Sequence, residues 1–167
     1  MPIENVKQPA KIDSEVLAEY VLLKCGKMSH LKLQKLLYYI QAFHLAYFES
    51  PLIDDDFEAW LHGPVSKKIY DTIKDFSVLY NDIEFKGNEE QIDGALKFKL
   101  TTEQVALIDE VLTEYAALSG TELETLTHSE APWIEARKEC GFGDACRKVI
   151  SKEAMYNYYK GQLYGSH

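Results

Sequence analysis

No stretch of this chain approaches the run of ~20 apolar residues that a membrane-spanning helix needs. Its opening, MPIENVKQPAKID, has no apolar segment and does not read as a secretory leader. Cysteine is scarce: Cys25, Cys140 and Cys146 cannot all pair with one another, and with no leader the expectation is a reducing cytoplasm. The histidines, at positions 30, 44, 62, 128 and 167, lack the close pairing that marks a zinc site, and Cys140-x5-Cys146 is no zinc knuckle. There is no G-x-S-x-G elbow, no P-loop and no G-x-G-x-x-G after a strand. Cys25 falls at the end of a predicted helix, where the dipole opposes a thiolate. These absences leave no catalytic residue, metal ligand or cofactor to name, and they point away from an enzyme.

Basic residues are missing from one region in particular. Between Leu100 and Ala136 stand eight acids (Glu103, Asp109, Glu110, Glu114, Glu122, Glu124, Glu130, Glu135) and no Lys or Arg. The stretch from Met1 to Ile53, with six basic and five acidic residues, is near neutral, so the net charge of −9 is unevenly spread. An acidic field repels phosphate backbones, which argues against direct nucleic-acid binding and for a basic protein partner. A solvated face that keeps the chain dispersed explains the same charge without any partner.

What the chain has is enough for one domain with its own core. A chain of this length buries about two-thirds of its unfolded surface and needs neither staples nor metal. Eleven tyrosines raise the aromatic content to 12%. They suit a half-buried core lining as well as a partner surface. No repeat, low-complexity tract or long linker divides the sequence, so residues 1–167 read as a single domain. Residues 1–12 read as a flexible or extended lead-in, and Gly165-Ser166-His167 as an expression scar.

Periodicity predicts a mainly α fold, a helical bundle with a small β-hairpin or extended arm. A first helix is expected from Ser14 to Cys25, capped by Asp13 and stopped by Gly26. A second follows Ser29 and ends before Ser50-Pro51, with Leu33, Leu36, Leu37, Ile40, Phe43 and Tyr47 as its core stripe. On that helix Lys35 and Tyr39 fall toward the polar flank. Phe57–Leu61 reads as a short strand or arm broken by Gly63-Pro64. Ser66 caps a third helix with Ile69, Ile73 and Phe76 inward. Lys67 and Lys68 sit unfavourably at its start unless an acid, such as one of Asp54–Asp56, compensates. The Asp54-Asp55-Asp56 run itself reads as a solvated turn. The hairpin or arm is placed between Leu79 and Leu100, where Ile83/Phe85 and Leu96/Phe98/Leu100 alternate around turn residues. Thr102 caps a fourth long helix that Gly120 ends. A short helix from Glu122 to Thr127 and a last one after Ser151, bearing Met155, Tyr158 and Tyr159, complete the reading.

Three blocks carry more information than any periodicity: Lys32-Leu33-Gln34-Lys35-Leu36-Leu37-Tyr38-Tyr39, Ala59-Trp60-Leu61-His62-Gly63-Pro64-Val65, and Thr127-His128-Ser129-Glu130-Ala131-Pro132-Trp133. In this order the chain resembles the Panacea domain, typified by SocA-like and phage-associated GepA-like proteins. The resemblance implies a bacterial antitoxin that neutralises a cognate toxin by binding it, the whole domain being the neutralising module. The motif residues it points to are Lys35, Tyr38, Tyr39, Trp60, His62, Gly63, Pro64, Thr127, His128, Pro132 and Trp133. Each has a structural reading beside the binding one. Trp60 and His62 suit a packed corner, Pro132-Trp133 a staple between two helices, and Lys35 beside tyrosines an internal cation–π contact. A second reading is a proteolytic adaptor that delivers its partner to a protease, as SocA-like relatives suggest. A third is a phage-associated metal-binding or hydrolytic enzyme built on His62 and His128. The oligomeric state and the toxin's identity are not written in the residues.

Overall fold

The structure is a computed structural model that describes residues 9–74 and 81–165; Phe76, expected inward, lies outside them. Side-chain caps set most helix starts. In α1 (Ser14–Cys25) the Asp13 carboxylate accepts the Glu15 N–H at 2.7 Å, and Gly26, at φ +83°, returns its N–H to Leu22. In α2 (His30–Phe48) Ser29 Oγ accepts from Lys32 at 3.1 Å, and the left-handed Glu49 ends the helix. Both helices lie where the spacing predicts. Ahead of α1, residues 9–12 are pinned: the Ile12 N–H reaches the Leu52 carbonyl, and Ala10 pairs with the Gln104 amide.

A short strand, β1 (Met28–Ser29), joins α1 to α2. After α2 the chain forms β2 (Phe57–Trp60) and β3 (Gly63–Ser66), an antiparallel hairpin with Ala59 opposite Pro64. Gly63-Pro64 therefore begins a strand instead of ending one. β3 is an edge strand, where the missing proline N–H is tolerated. Next come α3 (Lys67–Ile73), under the Ser66 cap, and β4 (Asp82–Ile83), which pairs with β1. Lys67 and Lys68 are met by Asp71 at 2.7 Å and Asp13 at 3.6 Å, not by the Asp54–Asp56 run. Asp54 pairs with Lys11 and Asp56 with Lys152, while Asp55 is buried against the Ser66 hydroxyl.

Of the segment from Leu79 to Leu100 expected to hold a hairpin or arm, β4 is a strand, but its partner is β1, and the second half folds instead into α4 (Glu89–Lys99), capped by Asn88. Ile92, Leu96 and Leu100 share a period of four as well as of two, and the helical period wins: all three are buried, while Phe98 is 86% exposed. Acids in its first turn and lysines in its last suit the helix dipole. α5 (Thr102–Tyr115) is capped by Thr101 rather than Thr102, in a reciprocal box with Gln104. Gly120 does not end it. Gly120 opens α6 (Gly120–His128) instead, because Ser119 and Glu122 form a second capping box. Then follow α7 (Ala131–Ala136), with Pro132 in its first turn, β5 (Val149–Ile150), and α8 (Lys152–Gly165), started by Ser151. β5 pairs with β2, so the sheet order is β3-β2-β5. Cys140 and Cys146 form a disulfide, a pairing not foreseen, and Cys25 is free. The fold is mainly α, as expected. No helix among the described residues is long and apolar enough to cross a membrane.

The core is organised around α2. Helices α8 and α5 pack along it, and α1, α6 and β3 cover the rest. Leu33, Leu36, Leu37 and Ile40 are each fully buried, a contribution of about 1.5–3 kcal/mol apiece. The burial does not stop at the predicted stripe. Lys35 and Tyr39, expected on a polar flank, have no exposed surface, whereas Tyr47, expected inward, is 57% exposed. Polar residues inside α2 hold the backbone of the segments that follow it. Gln41 takes the N–H groups of Leu52 and Ile53 and donates to the Ile53 carbonyl. Gln34 makes the same two-way bond with Ser66.

Candidate functional site

The three sequence blocks meet around the β2–β3 turn. Gly63 has φ +103°, and a Cβ added there would stand 2.4 Å from Lys35 Cε and 3.0 Å from Thr127 Oγ1. Glycine is required twice over, for its backbone angle and for the space α2 and α6 leave. Lys35 crosses this gap and donates from Nζ to the Pro64 carbonyl at 2.9 Å. Its ammonium is wholly buried, and desolvation pulls its pKa down to about 7, opposed by the carboxylate of Glu124. Thr127 donates to the Glu124 carbonyl and is itself buried.

On the outer side, Trp133 donates from its indole to the Trp60 carbonyl at 2.8 Å and stacks on His128 with centroids 4.0 Å apart. Burial lowers the His128 pKa, which favours the neutral ring where it stacks. Arg137, buried under Trp133, donates to the Ala59 carbonyl at 2.7 Å and to the Asp144 carbonyl. Trp60 lies edge-on to Tyr70, beneath the Arg147 guanidinium, and its indole N–H goes to Glu58. His62, at the turn, is 3.2 Å from Glu124. Trp60, Leu61, His62, Cys146 and Arg147 line a shallow cavity of about 180 Å³.

Tyr38 and Tyr39 belong to a second cluster. Tyr39 and Tyr159 both donate to Glu130 Oε1 at 2.7 Å, and the Tyr38 hydroxyl lies 3.1 Å from that of Tyr159. Burial raises the Glu130 pKa and pushes Tyr39 and Tyr159 well above the usual phenol range. Tyr39 also stacks on Tyr115 at 4.5 Å. Glu130 was counted with the acidic surface, yet it is an interior acceptor that fastens α2 and α8 to the start of α7.

Of the motif residues, Lys35, Tyr38, Tyr39, Gly63, Pro64, Thr127 and Pro132 are buried; Trp60, His62, His128 and Trp133 are partly accessible. Glu124, Glu130, Arg137 and Tyr159, which complete both clusters, were not singled out. Glu130 stood inside the third sequence block and Tyr159 on the last expected helix, but nothing in the residues marked either as a partner of the other. Lys35, with its lowered pKa, is sealed beneath Gly63 and already bonded to a carbonyl. Among the described residues no group of three or more His, Cys, Asp or Glu converges to hold a metal ion.

A helical bundle clasps a Gly-Pro hairpin, which a buried lysine and two helix-end aromatics lock in place. A family model described as "Antitoxin SocA-like, Panacea domain" matches residues 33–134, from within α2 to α7. That is more than half of the chain, and the protein belongs to this family. No curated protein and no solved structure matched the chain.

Proposed function

We propose that this protein is the antitoxin of a toxin–antitoxin pair and neutralises its cognate toxin by stoichiometric contact, without catalysis. The family match over residues 33–134 is the observation that carries the reading. The fate of the motif residues supports it, since most are consumed in building the scaffold and the Lys35 amine is sealed beneath the hairpin. On this reading the partner is a protein met in the cytoplasm, and recognition falls to exposed surface around the scaffold.

The test is co-expression with the product of the adjacent reading frame. Growth rescue together with copurification at fixed stoichiometry is expected. No rescue and no complex would remove the proposal. Rescue accompanied by a shortened lifetime of that product would make the protein a proteolytic adaptor instead.

A further inference from the structure

One face of α5 has no role in either cluster around the hairpin. Glu103, Ala106, Leu107, Glu110, Val111 and Glu114 follow i, i+3, i+4, i+7, i+8 and i+11, so they share a single stripe. Together with Tyr115 they form one wall of a groove whose other wall is Phe43 and Tyr47 of α2, with Leu163 of α8 adjoining. The groove's volume is about 280 Å³, just under the roughly 300–1,000 Å³ of small-molecule pockets, which suits inserted side chains better than a cofactor.

The floor is apolar and the rim is anionic. Tyr47 leaves 57% of its surface in water at this site. Glu103, Glu110 and Glu114 are exposed, and none is ion-paired with a described cation. They span about 16 Å along the helix axis, three turns at 1.5 Å per residue. A straight groove between two helices, apolar within and charged at helical intervals, is the complement of a third helix.

We infer that this groove docks an amphipathic helix of the partner protein, with apolar residues on Phe43, Tyr47, Leu107 and Val111 and Lys or Arg facing the three glutamates. The inference rests on the antitoxin reading and supplies its contact surface. Opposite charge speeds the encounter, and the buried aromatic contacts hold the complex.

The experiment compares the full-length wild type with the triple variant Glu103→Lys/Glu110→Lys/Glu114→Lys and with Tyr47→Ala. Binding to the adjacent reading frame's product is measured at low and high salt, beside melting curves. The triple variant is expected to melt like the wild type but bind about 100-fold more weakly and lose its salt dependence. Tyr47→Ala is expected to bind about tenfold more weakly. If wild type and triple variant bind alike, the groove inference falls while the antitoxin reading stands. If the wild type itself neither binds nor rescues, the antitoxin reading falls. A synthetic Lys/Leu amphipathic helical peptide then judges the groove alone. Salt-sensitive binding lost in the triple variant upholds it; no binding, or equal binding, overturns it. A dimer of this chain that Tyr47→Ala converts to monomer would give the groove to a second copy and also overturn the inference.

Discussion

Replacing Lys35 with methionine isolates the cost of burying an ammonium under the Gly-Pro hairpin. In the folded chain the group titrates at about 7, against 10.5 ordinarily, with desolvation as the cause. Between those values the unfolded chain keeps a proton on Lys35 that the folded chain has released. Raising the pH removes this preference for the unfolded state, so folding stability climbs from pH 7 toward 10.5. At about 1.4 kcal/mol per fully titrated pH unit, the gain between pH 6 and 9 is roughly 2–3 kcal/mol. Lys35→Met fills similar volume but cannot titrate, and it leaves the Pro64 carbonyl without its donor. Urea unfolding of both proteins at several pH values gives the difference in stability, from which titrations they share, including that of half-buried Cys25, cancel. That difference should move in favour of the wild type by roughly 2–3 kcal/mol from pH 6 to 9. Parallel profiles would mean that Lys35 keeps an ordinary pKa, and the desolvation argument would fail.

Gly26→Ala meets only backbone strain, since nothing lies within 4 Å of the added carbon, whereas Gly63→Ala also drives into Lys35. Chemical denaturation should show a loss of about 1–3 kcal/mol for Gly26→Ala and a further 1–3 for Gly63→Ala. Glu130→Gln keeps an oxygen for Tyr39 and Tyr159 but no longer ionises. Because burial holds the native carboxyl's pKa up, the wild type should lose stability relative to this variant as pH rises through that titration, read from paired melts in acid and neutral buffer. Tyr159→Phe removes one donor from Glu130 and should cost about 1–3 kcal/mol, measured by urea unfolding at neutral pH.

Elements set by local chemistry were legible in the residues. Asp13, Gly26, Ser29 and Ser66 act within a few residues of themselves, and α1, α2 and α3 begin where they predict. α4 was misread because Leu96, Phe98 and Leu100 alternate as a strand would; tertiary burial of Ile92 and Leu96 against α1 and α5 decided otherwise. The hairpin was missed where Pro64 read as a breaker, since edge position is a property of the whole sheet. All eleven motif residues came from ordered sequence blocks, but their depth did not. That Lys35 and Tyr39 lie within the interior depends on an α2 covered by α8, more than a hundred residues away, and no window around either residue contains it. Glu130 looked like surface charge for the same reason: its two hydroxyl partners arrive from α2 and α8.

The position of α8 also affects the order of events during synthesis. Helix α2 leaves the ribosome more than a hundred residues ahead of α8, the helix that covers Tyr38 and Tyr39. Until then those tyrosines, and the carboxyl that Tyr39 shares with Tyr159, have no lid. A nascent chain halted before Lys152 lacks the helix that closes this aromatic seam, and transiently open apolar surface of that kind is what chaperones shield.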